Sequence, residues 1–79
     1  MQAFEAKLLK TFGRSVRSLR KRRGLSQEDL AEKSGISRNY ISDIERGVRN
    51  LGLLALVALA KALRVSLREL VEEIEPRLR

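Results

Sequence analysis

Residues 27–47 read QEDLAEKSGISRNYISDIERG, and their punctuation sets two short helices against each other. Ser26 stands where a helix N-cap belongs, and Asp29 three residues later completes a short capping box. The spacing predicts a helix from Gln27 to Ser34 with Leu30 and Ala31 turned inward. Gly35 ends it, at a position where a positive φ costs little. Ser37 then caps a second helix, Arg38 to Arg46, which Gly47 closes. Leu30, Ala31, Ile36, Ile41 and Ile44 fall where apolar side chains lock the two helices at a steep angle. Ala31 is small, so the backbones can approach closely.

Working outward, the segment before this unit reads as one longer helix from about Phe4 to Arg23. Phe12, Val16 and Leu19 share a side at spacings of four and three. Its last turn, Arg20 to Arg23, is cationic, as suits the negative end of a helix dipole, and Gly24 follows; Lys21, Arg22 and Arg23 read as a solvated helix end that adds long-range attraction. Gly13, inside that segment, is expected to mark a weak point or a frayed beginning. Beyond the unit, an irregular link from Val48 to Gly52 leads to a fourth helix, Leu53 to Leu63. Ser66 and Glu69 form a second capping box for a fifth helix, Leu67 to about Glu75, which Pro76 is expected to end. No strand-like alternation, internal repeat or low-complexity linker interrupts the series. The expectation is an all-α fold, a compact five-helix single domain over residues 1–79.

Composition narrows the chemistry. The 79 residues carry a formal charge of +7 and include neither cysteine nor histidine. So small a chain has little core and no disulfide or thiolate metal site to reinforce it, and it relies on close packing, a partner subunit, or both. The charge attracts polyanions, either nucleic acid or an anionic membrane surface. It is uneven: residues 1–49 hold 12 basic and 6 acidic side chains, residues 50–79 hold 5 and 4. Aromatics are limited to Phe4, Phe12 and Tyr40, too few for the stacking platforms of a single-strand binder. Duplex recognition follows as the first expectation. The longest apolar run, Leu51 to Ala60 interrupted by Gly52, is shorter than a membrane span. With no apolar leader at the N-terminus, a cytoplasmic, prokaryotic and DNA-associated protein without a membrane role is expected.

The stretch 27–47 with the two residues before it, including LSQEDLA from Leu25, the turn glycine Gly35 and IERG at its end, resembles the helix-turn-helix of lambda-repressor-like (Xre-type) regulators. The similarity runs from about Arg17 to Leu70. The string Tyr40-Ile41-Ser42-Asp43-Ile44-Glu45-Arg46-Gly47-Val48-Arg49-Asn50 resembles restriction–modification controller proteins most of all, which are dimeric autoregulators. The resemblance implies a helix-turn-helix at 27–46 whose second helix enters the major groove, about 12 Å wide. It implies base reading by Arg38 and Asn39, in keeping with bidentate donation to guanine and pairing with adenine. Asp43 either accepts from cytosine or holds Asn39 or Arg46 in place. Gln27, at a helix N-terminus that favours anions, matches a phosphate-binding position. Ser37, Tyr40, Ser42, Arg46 and Arg49 are implied to bind phosphates or lie beside them, with partial packing against the second helix the alternative for Tyr40. Arg20 and Glu45 match a buried structural ion pair. Two departures stand out: Arg64 where relatives commonly have glycine, and Gly52 where a serine or threonine N-cap is usual.

Helix four, with Leu54-Ala55-Leu56-Val57-Ala58-Leu59-Ala60, leaves almost no polar face. Either the small domain wraps it fully, or one side builds the core while the other meets a two-fold mate. The second reading makes helices 53–75 a dimerisation unit, with Leu54, Val57, Ala58, Leu67 and Val71 in the interface, and implies a homodimer on a palindromic operator. An enzyme finds no support, since nucleophile–base pairs and phosphate-cradling glycine loops are missing. No cofactor, metal or small-molecule ligand is expected. An antitoxin-type autorepressor and a basic bridging module remain as alternatives to a regulator that binds double-stranded DNA.

Overall fold

The computed structural model describes residues 2–78; the ends of the expected domain, Met1 and Arg79, lie outside the described residues. Five α-helices follow in order: α1 (Ala3–Arg22), α2 (Gln27–Ser34), α3 (Arg38–Arg46), α4 (Leu53–Leu63) and α5 (Leu67–Val71), with a 3-10 segment at Glu72–Leu78. No strand occurs among the described residues, and the expected all-α five-helix architecture is borne out.

The helix starts are built locally. Ser26 Oγ accepts from the Asp29 N–H at 3.0 Å while Asp29 Oδ2 accepts from the Ser26 N–H at 2.9 Å. The bond from the Ser26 backbone N–H, and then the Ser26 hydroxyl beside it, hold the Asp29 carboxyl below the usual carboxylate range. Ser66 and Glu69 repeat the reciprocal pattern at α5, at 3.0 and 3.1 Å. Ser37 accepts from the Tyr40 N–H at 3.1 Å and has no acidic companion. Gly35 and Gly47 end α2 and α3 with φ of 74° and 75°, left-handed values that glycine adopts without strain.

A single core unites the elements. Phe12 and Val16 of α1, Leu30 of α2, Ile41 and Ile44 of α3, Leu59, Ala60 and Leu63 of α4, and Leu70 of α5 are buried together. Leu19, Leu25, Ala31 and Ile36 pack on its edge. The apolar positions assigned to the α2–α3 unit therefore all belong to the core or its margin.

Three expectations change. Gly13 is neither weak nor frayed: it lies buried within α1, where a Cβ would overlap the Ile44 carbonyl oxygen and sit 2.8 Å from that of Glu45. Only glycine lets α1 cross the C-terminal turn of α3 so closely. Pro76 does not end the last helix. The α geometry stops earlier, at Val71, and a 3-10 winding runs through Pro76 to Leu78. In an α-helix the proline ring would strike the carbonyl four residues back, at Glu72, and Glu72 is where the winding changes. The segment is held to α1 by Arg77 Nε, 2.7 Å from Thr11 Oγ1. Finally, Arg23 is more than a solvated charge. Its Nε donates to the Leu63 carbonyl at 2.8 Å and its Nη2 to that of Arg64 at 3.1 Å, closing the end of α4. That end turns through Arg64 at φ 60°, the one non-glycine residue with positive φ among those described.

Candidate nucleic-acid interface

The N-terminal tip of α3 is exposed. Ile41 and Ile44 anchor the opposite face of α3 in the core, leaving Arg38 and Asn39 exposed at its first turn. The first turn of α2 contains Glu28 and Asp29, whereas that of α3 contains no acid. The unpaired N–H groups and positive dipole end of α3 are thus not neutralised from within the helix, a setting favourable to anions.

Arg38 makes one loose contact. Its Nε lies 3.4 Å from Glu28 Oε2, with the two side chains 54% and 69% exposed. A pair so open to water is worth little, so the guanidinium can leave it for a better acceptor. Asp43 is engaged by Arg46, whose Nη2 is 2.6 Å from Asp43 Oδ1. In the unbound molecule, then, the carboxylate supports Arg46 and makes no hydrogen bond to Asn39. Ser42 is half-buried one turn along α3, and Ser37 is spent in part on its cap.

Tyr40 has a packing role in the unbound molecule. It packs half-buried against the core, and the Arg49 guanidinium sits 4.2 Å from its ring centroid. This cation–π contact brings an arginine of the link after α3 back to the helix, on the side of Tyr40. Among the phosphate candidates, Arg46 and Arg49 are exposed, and Gln27 is half-buried.

Beneath the tip lies a polar strut. Arg20 Nε is 2.6 Å from Glu45 Oε2 and its Nη2 is 3.0 Å from Oε1, a bidentate pair with side chains only 10% and 4% exposed. The third donor, Nη1, reaches the Leu25 carbonyl at 2.8 Å. The hydrogen bond to Glu45 outweighs desolvation and raises the Arg20 pKa above its ordinary value. Gln27 Nε2 adds a bond of 3.2 Å to Glu45 Oε1. One carboxylate on α3 thereby fixes α1 and the start of α2 at once. The Gln27 amide retains a second N–H.

Sequence reasoning did not find the Gln27–Glu45 bond, the Glu28–Arg38 pair or the Arg49–Tyr40 stack. All three join residues from different elements, and no helical periodicity relates such positions. The turn, which brings α2 beside α3, is the signal that could have found the first two; the third depends on the link after Gly47 turning back toward α3.

On α4, Leu53 and Leu54 are 69% and 85% exposed. Leu56 and Ala62 pack against the core, while Val57 and Ala58 are half-buried outside it. Leu67 is 43% exposed, and Val71 packs on the core margin. No described helix is long and apolar enough to cross a membrane.

Two short helices joined by a glycine turn, with a polar, uncompensated tip on the second, define a helix-turn-helix domain. The chain belongs to the family described as Helix-turn-helix, which matches residues 16–70. It is 51% identical over 57 residues to the control protein C.SmaI of Serratia marcescens, covering 72% of this chain and 68% of that protein. Among solved structures, it resembles the restriction-modification controller protein C.AhdI from Aeromonas hydrophila with a TM-score of 0.77 and 49% identity, covering 82% and 97% of the two chains. It also resembles the controller protein C.Esp1396I, solved as a tetramer in complex with its natural 35 base-pair operator. There the TM-score is 0.77 and the identity 38%, over 91% of this chain and 96% of the other.

Proposed function

We propose that this protein is a sequence-specific, duplex-DNA-binding transcriptional regulator of the restriction–modification controller type, acting as a homodimer on a palindromic operator. The observation that carries the reading is the tip of α3. Arg38 and Asn39 stand exposed at a helix start free of acid, on a helix whose other face is locked into the core. Likeness to control and controller proteins, one of them bound to its operator, supports the same conclusion.

In this reading Arg38 leaves Glu28 to donate to guanine, Asn39 reads adenine, and Asp43 fixes Arg46 or accepts from cytosine. Gln27, Ser37, Tyr40, Ser42, Arg46 and Arg49 hold the backbone phosphates. Arg20 and Glu45 keep the three helices in register beneath them. The exposed face of α4, through Leu54, Val57 and Ala58, with Leu67 and Val71 of α5, meets the two-fold mate. Two reading helices then lie one duplex turn apart, with half-site centres about 10 bp from each other. The protein works in the cytoplasm as a binding module, without cofactor or catalysis.

Selection of bound sequences from a random duplex pool tests this directly. The expected product is a palindrome that the protein prefers over other DNA by about 10³-fold or more. Arg38→Ala should weaken binding to it by about 1–3 kcal/mol and blur one base pair per half-site. Equal competition by every duplex would replace the regulator with a sequence-indifferent bridging module.

A further inference from the structure

One charged feature remains outside the reading surface. Lys7, Lys10, Arg14, Arg17 and Lys21 follow one another along α1 at spacings of three and four and are all exposed. Residues so spaced share one helical face, and at about 1.5 Å per residue the row is about 21 Å long. None of the five forms an ion pair among the described residues, in contrast to Arg20, Arg38 and Arg46. The one acid of α1, Glu5, sits in its first turn and off this face. Like charges at these spacings destabilise a helix, so the free molecule gains nothing from the row.

Its position is informative. α1 meets α3 along the adjoining side: Gly13 lies against the Ile44 and Glu45 carbonyls, and Gly47 lies against the backbone of Lys10. Arg20 reaches Glu45 from that side as well. The Lys10 end of the cationic row therefore lies beside the C-terminal end of α3, close in the fold to Gly47, which the exposed Arg46 and Arg49 flank in the chain.

We propose that this face of α1 is a second duplex-binding surface, which takes the phosphates of DNA flanking the half-site. The inference rests on the regulator reading and extends its footprint. A row of that length spans several phosphates, which recur about every 3.4 Å of axis along a strand. It contributes affinity and salt dependence without base preference, because phosphate contacts position and do not specify.

The test uses the full chain and a variant with Arg14→Gln, Arg17→Gln and Lys21→Gln, substitutions that keep helix propensity. Binding is measured across salt concentrations on the selected palindrome alone and on the same palindrome extended by about one duplex turn, ~10 bp, at each end. The parent is expected to bind the longer duplex more tightly. On it, the variant, which lacks three charges in each of the two protomers, should lose about 5 from the log–log salt slope, and on the short duplex the two proteins should match. Equal loss on both lengths, or no loss on either, overturns the proposal. So does loss only on vesicles of phosphatidylglycerol and phosphatidylcholine, which would assign the row to a membrane surface. A parent protein that prefers no palindrome sinks the regulator reading instead, a separate and visible outcome.

Discussion

The α2–α3 unit and the α4–α5 half are both short helices on one core, yet they meet solvent in opposite ways. α2 and α3 bury Leu30, Ile41 and Ile44 and expose charged and amide side chains, including Glu28, Arg38 and Asn39. α4 buries Leu59, Ala60 and Leu63 and still exposes Leu53 and Leu54. An amphipathic helix is satisfied by one core and water. A helix apolar on both sides is not, and the uncovered side calls for another apolar surface. Under the proposed reading, the difference separates two partners by chemistry: a polyanion for the first half, a second copy of the chain for the other.

The comparison is broken most forcefully at Glu45. Glu45→Ala leaves the buried Arg20 guanidinium without its carboxylate and releases Gln27, at an expected cost of about 3–5 kcal/mol. Denaturant unfolding should show that loss in the whole cooperative transition, because the strut ties α1, α2 and α3 together. Gly13→Ala comes next. Alanine normally favours a helix by up to about 1 kcal/mol. Here the new methyl meets backbone carbonyls that cannot move independently of α3, so a net destabilisation of about 2–3 kcal/mol is expected. A thermal midpoint that rises instead would contradict the close crossing.

Leu54→Glu sharpens the contrast from the other side. At 85% exposure, this position contributes little to the isolated fold, within about 0.5 kcal/mol. It should nevertheless weaken self-association about 10- to 100-fold, the equivalent of one buried leucine lost from an interface. Sedimentation of parent and variant over a range of concentrations measures the effect, and a parent that stays monomeric throughout refutes the mate. The smallest expected change is Arg64→Gly. It relieves the left-handed strain at φ 60°, offset by the greater freedom of glycine when unfolded, for a net gain of about 0.5–1 kcal/mol. Loss of stability there would mean that the Arg64 side chain has an interaction worth more than its backbone strain.

Much of the candidate interface was legible because its signals are local. Ser26, Ser37, Gly35 and Gly47 delimit α2 and α3 through contacts with their own neighbours, and the residues at the tip of α3 follow from counting past a cap. Gly13 and Pro76 misled for one shared reason. A glycine inside a helix and a proline near its end have default local meanings, and both were overridden by geometry: the passage of α1 across α3, and the tighter winding from Glu72 onward. Arg23 misled in the same manner, because its acceptors at Leu63 and Arg64 lie about forty residues away in the chain.

The amino-acid sequence alone determined four helices and the start of the fifth, the caps of α2, α3 and α5, the inward apolar positions and the basic tip, since each depends on residues within a turn or two of one another. Tertiary structure decided which polar groups meet: Gln27 with Glu45, Arg38 with Glu28, Arg49 with Tyr40, Arg23 with the end of α4. Such pairings need polar groups on separate elements brought within about 3–4 Å of one another. Only packing of the shared core sets distances of that kind between segments that are remote along the chain.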